Sequence, residues 1–234
     1  CTELQAMENN LSGDYVLMQD IHCSDTANWN GGEGFRPIGQ DEAPFTGTFD
    51  GAGYSIYDLY EDVAFGHAGL FGHTRNADVS NVNLYVDISG TDYSVGALIG
   101  WMENGSVDQI RTYNDIYMNQ QEVGGGVVGV ASCEDGASRL SITDVTNYGD
   151  TIYINDGWAF GGIVGFVVND SPSCNTLLGG LVNYGDVYGQ GLSEYIGEQV
   201  GGVIGEVDRY QGRVTVDDST MYGEVSGVVY SAGG

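Results

Sequence analysis

Four cysteines, three histidines and a large surplus of carboxylates are the side chains of this sequence with reactive chemistry. Four is the even number an oxidised framework requires, and it allows three connectivities. No Cys-x-x-Cys spacing occurs, so a thiolate metal site has little support. Cys1 and Cys23 bracket the first segment of the chain, where a disulfide would hold down an end that otherwise frays. Acylation of Cys1, as in a mature lipoprotein, is the other fate open to it. Cys133 and Cys174 fall 7 and 12 residues after Gly126 and Gly162, which start consecutive copies of a repeated motif described below. Neighbouring layers of the repeat would bring them together, so Cys1–Cys23 and Cys133–Cys174 are the expected pairs.

His67 and His73 could begin a metal site, but no third ligand stands at a fixed offset, and loop or corner positions are expected for both. His22 beside Cys23 resembles a nucleophilic dyad only in sequence, because adjacent residues on a strand face opposite ways. Acidic clusters occur at Asp217-Asp218, at Glu134-Asp135 and at Asp58 with Glu61-Asp62. General acid–base work needs two carboxylates held in one cleft with separated pKa values, and nothing in the spacing singles out a pair. HExxH, GxSxG and P-loop patterns are absent, so no catalytic residue is assigned and no cofactor is expected. Calcium is the one ion with some support, since oxygen-rich turns such as residues 25–28 and 147–150 suit it; no site can be named. Sequons at Asn10, Asn104 and Asn169 are candidate glycosylation points.

The elements that must position these groups are strands. The 234 residues carry 33 acidic against 6 basic side chains, all six Arg, for a formal charge of −27. Such a surface repels nucleic acid and anionic membranes and suits high salt or a cationic partner. Hydrophobic residues at 41%, with 16 Tyr and 7 Phe, argue for a folded core and against disorder. No apolar run reaches a membrane span, and no basic n-region with an apolar h-region opens the chain, so any signal peptide is expected to have been removed already.

From residue 66 onward an apolar pair framed by small residues recurs five times. It reads Gly69-Leu70-Phe71-Gly72, Ala97-Leu98-Ile99-Gly100, Gly126-Val127-Val128-Gly129, Gly162-Ile163-Val164-Gly165 and Gly202-Val203-Ile204-Gly205. A second landmark built on Tyr85, Tyr113, Tyr148, Tyr184 and Tyr222 follows each copy by 16 to 22 residues. Between landmarks the hydrophobicity alternates, as over residues 79–84 and 140–145, and Gly, Asn and Asp interrupt it. One such coil cannot bury its own apolar face, but a stack of coils can. The expected fold is therefore all-β, a parallel β-solenoid (β-helix) in one domain. Residues 1–60 form its N-terminal cap and first coils, and residues 61–234 its five repeats. Residues 131–137 and 169–175 read as inserted loops.

Residues 2–11 predict a short capping helix, with Thr2 as N-cap and Leu4, Met7 and Leu11 on one face. Residues 15–21 and 45–60 predict the first strands. The segment 225–234 is apolar without a capping helix, so either the chain continues or subunits stack end to end.

The opening Thr2-Glu3-Leu4-Gln5-Ala6-Met7 with Leu11-Ser12-Gly13-Asp14-Tyr15, then Pro37-Ile38-Gly39 and Phe45-Thr46-Gly47-Thr48-Phe49-Asp50-Gly51, resembles bacterial and archaeal surface proteins with GLUG motifs. The five framed pairs resemble the GLUG repeat, with Ala97 a departure from its preferred Gly. The resemblance implies a right-handed solenoid of exported, adhesin-like proteins, and it implies no chemistry.

The expected function is a non-catalytic structural or adhesive module at the cell surface, self-associating into filaments or meeting a surface glycan or protein receptor. The alternatives are a carbohydrate-binding module using Trp29, Trp101, Trp158 and the tyrosines, and a β-helix polysaccharide lyase or hydrolase.

Overall fold

A computed structural model describes residues 1–63, 66–90, 93–113, 115–119, 123–134, 139–154, 157–190, 199–209, 211–227 and 231–233. The chain is mostly β-strand, and its named strands pair in parallel within an 18-stranded and a 6-stranded sheet. The repeat explains the pairing. Phe71 stands beside Ile99, Ile99 beside Val128, Val128 beside Val164, and Val164 beside Ile204. Each framed pair thus lies in register on the copy that precedes it.

A second row runs Tyr15, Phe49, Val79, Val107, Ile142, Leu178, Val216. A third runs Ile88, Ile116, Thr151, Val187, Val225. One hydrophobic core follows these rows from Leu4 to Val203. Burial of each aliphatic or Phe side chain contributes about 1.5–3 kcal/mol, so the inward rows dominate the stability of the stack. Phe45, Phe49 and Phe71 add an aromatic cluster near the N-terminal end, with Phe45–Phe71 centroids 4.8 Å apart.

The framed pair marks the corner between the two sheets. Both of its residues point inward, as in Val127 and Val128 or Ile163 and Val164, all fully buried. Alternation is broken here because the backbone bends between them. The bend leaves no room for a side chain at the residue before the motif: a Cβ on Gly161, which precedes Gly162-Ile163-Val164-Gly165, would sit 2.0 Å from the Val164 carbonyl oxygen and 2.7 Å from the Gly205 nitrogen of the next layer.

The N-terminal segment is shorter in α-helix than its sequence predicts. Thr2–Gln5 forms one turn capped by Cys1, without a side-chain cap, and Ala6–Asn9 continues as 3-10 helix. Thr2 is therefore not the N-cap. The Asn9 amide donates to the Ala6 carbonyl at 3.0 Å, a local bond that competes with a further α-turn. Leu4 and Met7 still reach the core, and Leu11 packs on its edge. The expected first strands are interrupted too: Asp14–Val16 and Ile21–His22 replace one, Thr48–Asp50 and Ser55–Val63 the other. The second break is a turn in which Asp50 Oδ1 accepts the Ala52 N–H at 2.7 Å, with Ala52 and Gly53 at positive φ.

Candidate functional site

The outward neighbours of one inward row build the most regular surface of the molecule. Ile21, Ile56, Leu84, Thr112, Asn147, Asn183 and Met221 stack in register. Their successors His22, Tyr57, Tyr85, Tyr113, Tyr148, Tyr184 and Tyr222 point the other way, and their rings form one continuous column. Centroids are 4.3–5.0 Å apart, and every pair from Tyr85 to Tyr222 lies within 8° of parallel. Burial, then the neighbouring phenols Tyr113 and Tyr57, push the Tyr85 phenol above its ordinary pKa.

On the inner side the same row turns polar. Thr112 donates to Asn147 Oδ1 at 2.7 Å, and Asn147 Nδ2 donates to Asn183 Oδ1 at 3.0 Å and to the Gly149 and Gly162 carbonyls. Asn183 repeats the pattern to Gly185 and Gly202. Further along, Asp115, Asp150 and Asp186 each accept the backbone N–H of the acid one layer on, Asp150, Asp186 and Glu224. The Asn147 turn named as an oxygen-rich candidate for calcium thus has its amide committed to the fold.

The cysteines form Cys1–Cys23 and Cys133–Cys174, so Cys1 carries no free thiol. Cys133 ends the strand Val128–Cys133 and Cys174 precedes Asn175–Gly179; part of the first expected loop, residues 135–138, and Asp135 with it, lies outside the described residues, as do residues 228–230 and 234 of the C-terminal segment and Asn114 of the second landmark. Of the sequons, Asn10 is exposed, while Asn104 and Asn169 are only 1% and 0% exposed. Neither buried amide can carry a glycan in the folded chain. Asn169 is held inside by donating to Arg213 and accepting from Thr176. Trp158 is exposed and stacks on Phe166, and Trp29 packs against the core. Glu61, from one of the acidic clusters, is fully buried, and desolvation pushes its pKa well above the carboxylate range.

His67 and His73 depart furthest from expectation. They are not loop residues but strand residues, 2% and 6% exposed, on His67–Ala68 and Phe71–Gly90. His67 Nδ1 lies 2.7 Å from Ser94 Oγ, and its Nε2 2.8 Å from Asp41 Oδ1. Asp41 sits in the turn closed by the Gln40–Ala43 bridge, and Gln40 ties that turn to the His67 backbone. His73 has Asp41 3.3 Å from Nδ1 and Glu103 3.5 Å from Nε2, yet neither ring nitrogen makes a hydrogen bond. Burial and then His67 lower its pKa, against the opposing pull of Asp41 and Glu103. Arg75 Nε donates to Glu103 at 2.6 Å.

These groups, with Tyr93, Trp101 and Glu134, line an open cleft of about 380 Å³. The sequence flagged the two histidines and named Trp101 as a sugar-stacking candidate, but it did not join Trp101 to them and missed Glu103. The repeat offset contained them: His73 pairs with Trp101 and Arg75 with Glu103 at the same 28-residue step that relates Phe71 to Ile99. Asp41, on a turn outside the repeat, has no such signal. Among the described residues, no three His, Cys, Asp or Glu side chains are arranged to hold a metal ion, and no helix is long and apolar enough to cross a membrane.

No family model matches the chain. Over 142 aligned residues, 56% of its length, the chain is 34% identical to halomucin of Haloquadratum walsbyi, and it spans 2% of that protein. A crystal structure at 1.30 Å of a candidate immunoglobulin A1 protease from Bacteroides ovatus superposes with a TM-score of 0.61 at 16% identity, covering 96% of this chain and 82% of that one. This second likeness is one of fold.

Proposed function

We propose that the chain is a right-handed parallel β-solenoid of the GLUG-motif kind and serves as a non-catalytic structural or adhesive module of an exported surface protein. One observation carries this reading: the residues that recur from layer to layer bind each other. The tyrosines stack on tyrosines, the asparagines bond to asparagines and backbone, and the aspartates accept backbone N–H groups of the next layer. Repetition of that kind serves mechanical continuity, whereas a catalytic site needs an exception to the repeat. Two disulfides fit an oxidising compartment, and the partial likeness to a protein named as a mucin supports a place outside the cell. Each parallel layer is also a template for another, which supports end-to-end association as the mode of assembly.

Electron microscopy of the purified chain over a range of concentrations, paired with digestion assays on polysaccharides and proteins, tests the proposal. Slender particles that lengthen with concentration and leave every substrate intact are expected. Particles of one fixed length would remove the assembly, and released oligosaccharides or peptides would overturn the non-catalytic role.

A further inference from the structure

The cleft around His73 is the exception to the repeat, and it is chemically unlike the rest of the surface. We propose that it binds an organic cation, an alkylammonium or guanidinium group such as the end of a lysine or arginine side chain. Asp41, Glu103 and Glu134 bring three carboxylates to the cleft, and Arg75, the one arginine among its lining residues, is already held by Glu103. His73 lies between two of these carboxylates, 6% exposed, with no hydrogen bond to either. Glu103 has Arg75 as its counter-charge, but Asp41 and Glu134 meet no arginine among the residues that line the cleft. Asp41 is two-thirds exposed, so its free oxygen lone pairs are open to a donor that enters from solvent.

The walls match such a ligand. Trp101 and the half-exposed Tyr93 stand 5.3 and 5.9 Å from the His67 ring, centroid to centroid. An aromatic wall beside carboxylates is the environment in which a weakly hydrated cation gains both from the ring quadrupole and from charge-assisted hydrogen bonds. A bare metal ion fits less well. His67 already engages Ser94 and Asp41 through both nitrogens, and the two nitrogens of His73 face opposite acids, so the imidazoles do not converge on one point. An anion meets three carboxylates. The field of a chain of net charge −27 further concentrates cations at the cleft.

Titration of the folded chain with Nα-acetylarginine amide, Nα-acetyllysine amide and the neutral isostere Nα-acetylcitrulline amide, followed by calorimetry and tryptophan fluorescence, tests the site. The arginine and lysine compounds separate guanidinium from ammonium as the preferred group. At least one is expected to saturate, with citrulline weaker by about tenfold or more, the scale of one charge-assisted hydrogen bond. Asp41→Asn should weaken the cation by a similar factor and Tyr93→Leu by less, while Asp217→Asn with Asp218→Asn, on an exposed strand end, should leave binding unchanged. Equal binding of citrulline, an Asp41→Asn variant that melts and binds like wild type, or a response to zinc or calcium alone would overturn the proposal. So would the absence of saturable binding by either cation.

Discussion

The rings of Tyr85 and Tyr113 lie 4.3 Å apart and 3° from parallel, while the residues preceding them, Leu84 and Thr112, pair inside the sheet. The column of rings is thus a direct product of strand alternation acting on a repeat: what locks the inner residue in register also stacks the outer one. Replacing Tyr113 by Ala removes two ring contacts at once, to Tyr85 and Tyr148. At about 0.5–1.5 kcal/mol per aromatic pair, the loss should reach roughly 1–3 kcal/mol in denaturant unfolding. The ring, not the hydroxyl, carries this term, so Tyr113→Phe should retain most of the stability.

The same pair predicts an alkaline signature. Tyr85 has its phenol pKa raised in the folded chain, first by burial and then by Tyr113 and Tyr57. A group of raised folded pKa favours the fold while it is protonated, and that contribution is lost as pH climbs from the unfolded tyrosine value through the folded one. Ultraviolet titration should therefore show Tyr85 ionising later in the folded chain than in the denatured one. Tyr113→Phe, which deletes a neighbouring ionisable hydroxyl, should bring Tyr85 back toward the ordinary value; no change would remove the coupling.

Asn147 is the polar counterpart of that column. Its amide donates to three carbonyl oxygens and accepts from Thr112 and from the Gly149 N–H, at 1% exposure. Alanine leaves these partners buried without replacement, at about 1–3 kcal/mol per unsatisfied group. Asn147→Ala is expected to cost more than Tyr113→Ala even though it removes fewer atoms. A thermal melt ranking the two variants the other way would show that water takes the place of the amide.

What the sequence made legible follows from these residues. The five framed pairs and five tyrosines are regular because each faces its own copy; their spacing predicted that the apolar pairs stack, whereas the column of tyrosine rings emerges only in the structure. The breaks in the repeat were not readable in that way. The polar switch from Leu84 to Asn147 and Asn183 looks in sequence like loop chemistry, because Asn is a turn former, yet the amides are buried in a ladder. The same bias made Asn104 and Asn169 look like surface sequons. His67 and His73 looked like corner residues because glycines flank them, while their burial depends on Asp41 and Trp101, one from outside the repeat and one from the next layer.

Glu61 offers a test of the same sign in the acid-to-neutral range. One oxygen accepts the Gly69 N–H at 3.0 Å, the other has no partner, and the side chain is wholly buried. Its raised pKa means that the folded chain holds a proton which the unfolded chain releases in the ordinary carboxylate range. Stability from this group is complete below that range and is lost as pH rises toward the folded value. Glu61→Gln keeps an acceptor for Gly69 without an ionisable proton. It should match wild type in acid, exceed it at neutral pH, and flatten the dependence of melting temperature on pH between the two.

Net charge supplies the last prediction. With 33 acidic residues against 6 arginines, the compact state repels itself, and parallel stacking places like charges one layer apart, as for Asp115, Asp150 and Asp186. The backbone bonds to these acids hold the charges there, so the repulsion is not relieved by rotation. Sodium chloride shortens the Debye length from about 30 Å at 0.01 M to about 3 Å at 1 M, screening the repulsion. It also weakens the surface pair Arg36–Glu8, but such exposed pairs contribute only about 0–1 kcal/mol. The repulsive term wins, and the melting temperature should rise with salt, at about 2–4 °C for each kcal/mol in a domain of this size. Asp217→Asn with Asp218→Asn should lessen the slope, because both side chains are exposed and add to the like-charged surface. A melting temperature that falls as sodium chloride is added would mean that attractive pairs, not self-repulsion, govern the electrostatics of this fold.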